Sequence, residues 1–375
     1  MKYSKIAGWG MSVPERVLTN HDLEQMVDTS DEWIVMHTGI RERHIAGEGE
    51  TNSTLSVAAG RQALERADLD PDELDLIIVA TSSPDYLLPP VSSQVQHGLG
   101  ATRAGAFALV AGCTGFVYGL ATAHQFIATG AYRNILVIGS EIVSRFVNWQ
   151  DRNTCVLFGD ASGAVILQAS DEPSGVLSFV LGSDGSKAEA LIMRGLGSAM
   201  PASYEVLNNR WHKIEMDGPT IIKFALRVVG EAATEAAAAA GLTMEDIDLL
   251  IPHQANLRII ESTRQQLDLP PEKVFVNLDR YGNTSAAAIP VALCEALDTG
   301  RVTEGDTVVL VSYGGGLTWA AATLQLGVAE TSSRYIPWPI TAARKQVRSA
   351  AEAVSSVASA LLLPLFTFSR KGKDE

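Results

Sequence analysis

Apolar and polar positions along this chain switch repeatedly between the period of a strand and that of a helix. Residues 106–110 (AFALV) form an apolar run of strand length. The next stretch, GFVYGLATAHQFIATG, carries Phe116, Leu120, Ala123 and Ile127 at helical spacing and stops at Gly130. The pattern predicts a strand, a tight junction and a helix, with AGCTGF (111–116) at the junction.

The same alternation occurs twice. RADLDPDELDLIIVATSS (66–83) matches AAGLTMEDIDLLIPHQAN (239–256), 173 residues on, and each predicts a helix end, an acidic turn and a buried strand. GCTG (112–115) and GNTS (282–285), 170 residues apart, each open a helical segment that runs through a TG turn into an apolar strand, NILVIGSE or TVVLVSYG. FGDASGAVILQ (158–168) pairs with YGGGLTWAAATLQ (313–325) as a glycine turn entering a strand. Strands alternating with helices in both halves imply an α/β protein with mainly parallel sheets covered by helices. The duplication divides the chain into residues 1–172, residues 173–327 and an unmatched tail, 328–375. A pseudo-twofold between two such units brings equivalent helix starts together, so Cys113 is expected to map onto Asn283 and to face it across one pocket. His253 follows the strand in DLLIPHQAN, at the carboxyl end where α/β sheets hold their ligands.

The chain has 375 residues, 46% of them hydrophobic, which is enough for a large core. A net charge of −14 argues against nucleic acid as a partner. The three cysteines form no CxxC pair, which fits a reducing, cytoplasmic compartment and argues against a structural zinc site. The first fifteen residues contain no apolar signal-peptide core.

Cys113 alone permits two readings. At a helix start the unpaired N–H groups and the dipole favour a thiolate, so a lowered pKa is expected. A buried packing cysteine fits the same stretch. Cys155 in CVLF and Cys294 in VALCEAL read as core. With His253 and Asn283, Cys113 permits two chemistries. In a thiol hydrolase the histidine is the base and the asparagine orients it. In a condensing enzyme the thiol carries an acyl group while His253 and Asn283 stabilise an enolate. Cys and Asn on equivalent helices favour the second.

Six stretches, DTSDEWIVMHTGIRERHIA (28–46), AGCTGF, FGDASGA, PHQANLRII (252–260), DRYGNTSAAAIP (279–290) and YGGGLTW (313–319), resemble β-ketoacyl-acyl-carrier-protein synthase III over about residues 3–326. The resemblance implies a thiolase-like fold of two duplicated βαβ halves layered α-β-α-β-α. It implies decarboxylative condensation of an acyl-CoA primer with malonyl-acyl-carrier protein, which starts fatty acid synthesis. Both compounds are substrates, so no cofactor is expected. A related acyltransferase of a secondary pathway and a thioester hydrolase are the alternatives. Cys113 is implied as nucleophile, His253 and Asn283 as decarboxylation partners, and the N–H groups of Cys113 and Gly315 as the oxyanion hole. Trp33 resembles the tryptophan that stacks on the coenzyme A adenine, Arg152 the arginine on its other face, and Asn256 an asparagine of the pantetheine tunnel. His37 stands where several members carry arginine, which weakens that clamp. Leu88 stands where some members place a phenylalanine that reaches the acyl pocket of a homodimer partner. Lys223 and Arg227, four apart in IIKFALRV, with Arg258 and Arg264 after His253, are candidates for a patch that docks the acyl-carrier protein.

The tail departs from the family. Residues 330–339 read as a linker, and Val347, Ala351, Val354, Ala358 and Leu361 form a helical stripe with basic flanks. An interfacial helix in peripheral contact with anionic lipid and a helix packed on the body are the two expectations.

Overall fold

In the computed structural model, which describes residues 2–327, nine strands form one sheet. They are β1 (Tyr3–Ser12), β2 (Leu76–Ala80), β3 (Gly105–Leu109), β4 (Asn134–Glu141), β5 (Ala161–Ser170), β6 (Gly175–Ser183), β7 (Leu249–Pro252), β8 (Thr307–Gly314) and β9 (Thr318–Gln325). Seven helices position the site: α1 (Asp31–Thr38), α2 (Asn52–Arg66), α3 (Val91–Leu99), α4 (Gly115–Ala128), α5 (Gly218–Ala239), α6 (Leu257–Gln266) and α7 (Ala288–Asp298).

The strand order is β7-β8-β9-β6-β1-β5-β4-β2-β3. In the first half β2 runs parallel to β3 and β4, and β5 lies antiparallel between β4 and β1. The second half repeats the scheme, with β7 parallel to β8 and β9 antiparallel between β8 and β6. A single bridge from Leu250 to Val274 stands where the counterpart of β3 would lie. The halves join where β1 meets β6 at Ser4 and Gly175. One spacing relates the elements: β2 and β7 begin at Leu76 and Leu249, β4 and β8 at Asn134 and Thr307, and α4 and α7 at Gly115 and Ala288, 173 residues apart each time.

The central strands are apolar on both faces because helices cover both. In β4, Ile135 and Val137 enter the central core and Leu136 and Ile138 an outer one. In β8, Val308 and Leu310 enter the same central core and Val309 and Val311 the opposite outer one. Phe116, Leu120 and Ile127 of α4 and Ile289 and Leu293 of α7 fill the central core. Helices α2 and α3 cover one outer face, and α5 and α6 the other. The layers therefore run α-β-α-β-α, and the shared central core makes the two halves one compact unit. The linker and amphipathic helix expected over residues 328–375 lie outside the described residues.

Candidate active site

The junction after β3 runs through a 3-10 turn, Gly112–Thr114, into α4. The end of β8 lies against it. Gly112 has φ of 56°, and a Cβ there would stand 3.1 Å from the Gly315 carbonyl oxygen. A Cβ on Gly314 would stand 2.8 Å from the Cβ of Cys113. These two glycines let turn and strand end touch. The contact brings the backbone N–H groups of both Cys113 and Gly315 to the Cys113 thiol. Ser312 Oγ donates to the Cys113 carbonyl at 2.8 Å and anchors the turn.

The thiol differs from its expected state. Burial pushes it up to about 11, with the Glu141 charge adding to the rise, although the neighbouring Ser285 hydroxyl and the Cys113 and Gly315 N–H groups oppose it. The helix-start argument omitted desolvation: Cys113 is only 6% exposed, and burial of the charged form outweighs the hydrogen bonds offered by the turn. Burial likewise pulls His253 down to about 3, so its imidazole is neutral. The His253 backbone N–H donates to the Val311 carbonyl at 2.8 Å, its ring meets Tyr313 edge-on at 5.2 Å, and Nδ1 has no protein partner. Tyr313 lies within electrostatic reach of Cys113, and burial raises its phenol.

Asn283 reaches the same place by another route. Its backbone N–H donates to Leu157 at 2.8 Å, and its carbonyl accepts from Gly159 at 3.1 Å. Its Oδ1 accepts from the Ser285 N–H at 2.9 Å, which leaves the amide NH2 group as donor. The mapping of Cys113 onto Asn283 requires correction. At the spacing of 173 the equivalent of Cys113 is Ala286, and Gly112 matches Ser285, each the first residue of a 3-10 turn. Asn283 precedes that turn. The similarity of GCTG to GNTS misaligned the halves by three residues, because two Gly-X-Thr tripeptides coincide at a register the backbone does not share.

Sequence reasoning missed Glu141 and Ser285. Glu141 ends β4, fully buried, and accepts hydrogen bonds from Ser83 Oγ, from the Ser82 N–H at 3.1 Å and from Ser285 Oγ at 3.1 Å. Burial raises its carboxyl to about 6. A carboxylate closing the apolar run NILVIGSE was the available signal. Asp160 in FGDASGA is also buried, and holds its turn through Ser144 and Ala46.

Trp33 and Arg152 meet, the guanidinium 5.1 Å from the indole centroid. His37 stacks on the same ring at 4.4 Å and 26°, and its Nδ1 pairs with the Trp33 carbonyl. Asn256 caps α6, accepting from the Arg258 N–H at 2.9 Å and donating to the His37 carbonyl at 3.0 Å. Leu88 is 84% exposed, beside exposed Tyr86 and Leu87. Among the docking candidates, Lys223 and Arg227 are exposed on α5, and Arg258 is exposed with Nε bonded to the Met36 carbonyl. Arg264 departs from the expected patch. It is half-buried and spent on Glu261 at 2.9 Å and the Leu269 carbonyl at 2.7 Å, a brace at the end of α6. Among the described residues no His, Cys, Asp or Glu cluster could hold a metal, and no helix is long and apolar enough to cross a membrane.

Comparison with known proteins adds relatives to this geometry. The family models described as 3-oxoacyl-[acyl-carrier-protein (ACP)] synthase III and its C terminal match residues 107–185 and 237–326. The beta-ketoacyl-[acyl-carrier-protein] synthase III of Roseiflexus sp. (strain RS-1) is 54% identical over 323 residues, 86% of this chain and 98% of the relative. That of Symbiobacterium thermophilum is 56% identical over 322 residues, with the same coverage of each chain. The solved beta-ketoacyl-[acyl carrier protein] synthase III of Thermus thermophilus is 48% identical and superposes with a TM-score of 0.82 over 87% of this chain and all of that one.

Proposed function

From the premise that the chain belongs to the 3-oxoacyl-[acyl-carrier-protein] synthase III family, we propose how its site carries out the reaction. The enzyme is a thiolase-fold acyltransferase, the condensing enzyme that initiates fatty acid synthesis. Cys113 takes the acyl group from an acyl-CoA primer, with the N–H groups of Cys113 and Gly315 stabilising the tetrahedral oxyanion. Malonyl-acyl-carrier protein then loses CO2. Neutral His253 and the Asn283 amide donate hydrogen bonds to its thioester carbonyl as the enolate forms. The enolate carbon attacks the acyl-cysteine, and 3-oxoacyl-acyl-carrier protein leaves as the thiol re-forms.

One observation carries the choice of condensation over hydrolysis. The Asn283 oxygen is taken by the Ser285 N–H and His253 Nδ1 has no protein partner, so the asparagine does not orient the imidazole, and burial favours the neutral ring. A thiol hydrolase of the papain type relies on a thiolate–imidazolium pair oriented by asparagine. Here the histidine serves as a hydrogen-bond donor. Trp33 and Arg152 part from their 5.1 Å contact to clamp the adenine, and Asn256 borders the pantetheine path. Lys223, Arg227 and Arg258 face the carrier protein, and a second copy covers the exposed Tyr86–Leu88 tip. The three free thiols among the described residues support a cytoplasmic enzyme. The membrane role for residues 328–375 stays part of this proposal. Its test is flotation of the full chain, but not of a chain ending at Gly327, with anionic vesicles.

The overall reading is tested by incubating the enzyme with acyl-CoAs and malonyl-acyl-carrier protein while following CO2 and product mass. Condensation yields one CO2 per 3-oxoacyl product. Free acid without CO2 would establish hydrolysis instead.

A further inference from the structure

The catalytic steps above leave one question of chemistry open: what takes the proton of a thiol that burial keeps protonated. The Ser285 hydroxyl lies against the Cys113 thiol and donates to Glu141 Oε1 at 3.1 Å. Glu141 is fully buried, and its remaining donors, Ser83, Ser82, Thr81 and the Ala286 N–H, carry no charge. Across Ser285 the titratable neighbour is the thiol itself. From the second half, Tyr313, kept neutral by burial, lies near the thiol, and neutral His253 packs edge-on against Tyr313. The backbone adds an independent sign. Ser285 holds φ of 52°, a left-handed conformation that suits glycine, and the equivalent residue of the other half is Gly112 at 56°. A serine kept in a strained place where its counterpart is glycine indicates use of the hydroxyl.

We propose that Cys113, Ser285 and Glu141 form a proton relay, in which the thiol proton passes through the Ser285 hydroxyl to the Glu141 carboxylate as the thiol attacks a thioester. The inference rests on the proposed function for its substrate. The thiol S–H bond breaks as the S–C bond to the acyl carbon forms. Ser285 Oγ receives that proton and yields its own to Oε1. The C–S bond to coenzyme A breaks, coenzyme A leaves as the thiolate, and the proton on Glu141 re-equilibrates with solvent before the next turnover. Loss of the proton to solvent would place two negative charges in a buried site, whereas the relay keeps one. A carboxyl raised to about 6 by burial is ionised, and able to accept, at neutral pH. Glu141 acts through Ser285 and is thus a positioning residue that also accepts a proton.

The test is the pH profile of Cys113 acylation, read by rapid quench and intact mass from pH 5 to 9. Acetyl-CoA and p-nitrophenyl acetate serve as separate donors. The wild type is expected to be flat above about pH 6 and to slow below it. Glu141→Gln should slow acylation at pH 7 by at least about tenfold, and its rate should climb about tenfold per pH unit as hydroxide takes the proton. Ser285→Gly should do the same with a backbone suited to its turn, and it carries the test if Glu141→Gln fails to fold. Acylation by either folded variant at the wild-type rate or faster would overturn the relay. So would a slower rate that keeps the wild-type profile. A wild type acylated by p-nitrophenyl acetate with this profile, but not by acetyl-CoA, supports the relay and overturns the acyl-CoA reading.

Discussion

At the starts of α4 and α7 the two halves of the molecule build the same turn from different residues. The first half uses Gly112-Cys113-Thr114 and the second Ser285-Ala286-Ala287, and both turns open with a residue at positive φ. In the first half the strained position holds a glycine and the next residue carries the thiol. In the second the strained position carries a hydroxyl and the next residue is an alanine. The helices over the outer faces diverge likewise. Helix α3 (VSSQVQHGL) contains no Lys, Arg, Asp or Glu and follows the exposed apolar tip at Tyr86–Leu88, whereas its counterpart α6 carries Arg258, Glu261 and Arg264. Duplication thus supplied one backbone twice, and the chemistry was divided unequally between the copies.

The largest effect should come from separating the reactive residues. Cys113→Ser should lower acyl-enzyme formation by at least about 1,000-fold. Asn283→Ala should still form the acyl-enzyme while losing about 100- to 1,000-fold in condensation, seen as CO2 release. Equal loss of acylation in both folded variants would show that the two turns do not divide the reaction.

Exchanging the residues at positive φ should have unequal effects. Gly112→Ser puts a side chain at φ of 56° beside the Gly315 carbonyl and should destabilise by about 1–2 kcal/mol or more in denaturant titrations. Ser285→Gly relieves the same strain but removes the hydroxyl's bond to buried Glu141, so the two terms should offset to within about 1 kcal/mol. A loss from Ser285→Gly as large as that from Gly112→Ser would mean that the two turns are not energetically alike.

The acid response of stability should differ between the site's titrating groups. The folded His253 pKa of about 3 lies below the ordinary 6.5, so the unfolded chain binds more protons and stability falls as pH drops through that window. Glu141 is raised from 4.5 to about 6, so its contribution favours the folded state at low pH and is lost as pH rises through that range. His253→Gln should therefore flatten the decline between about pH 6.5 and 3, and Glu141→Gln should steepen the acid side from pH 6 to 4.5. Unfolding midpoints at pH 4, 5.5 and 7 would check both.

The smallest effect should lie on α6. Arg258→Glu should raise KM for malonyl-acyl-carrier protein several-fold at low salt, with acylation by acyl-CoA spared, because rim charges act mainly on encounter. Arg264→Ala should leave that KM unchanged and cost about 1 kcal/mol of stability through its lost bonds to Glu261 and Leu269. A KM change from Arg264→Ala as large as that from Arg258→Glu would return Arg264 to the patch.

Much of the architecture was legible in the residues. Each element's period, the acidic turns before β2 and β7 and the glycine stops are local properties, so strand, helix and duplication could be read in order. The junction position of Cys113 and the strand-end position of His253 follow from the same patterns. Arg258 and Arg264, six residues apart, were not separable in sequence. One is exposed and the other braces a helix end, and only packing distinguishes them.

The sequence by itself determined the α/β alternation, the two copies and the candidate thiol, histidine and asparagine, because side-chain period and turn chemistry act over a few residues. The tertiary structure decided the state of those groups. Desolvation raised Cys113 and Glu141 and lowered His253, and it depends on every residue that excludes water from the site. The structure also decided the true register of the repeat and the meeting of Cys113, Ser285 and Glu141. Those residues come from positions 113, 285 and 141, and the packing of two strand ends and two helix starts around one core brings them together.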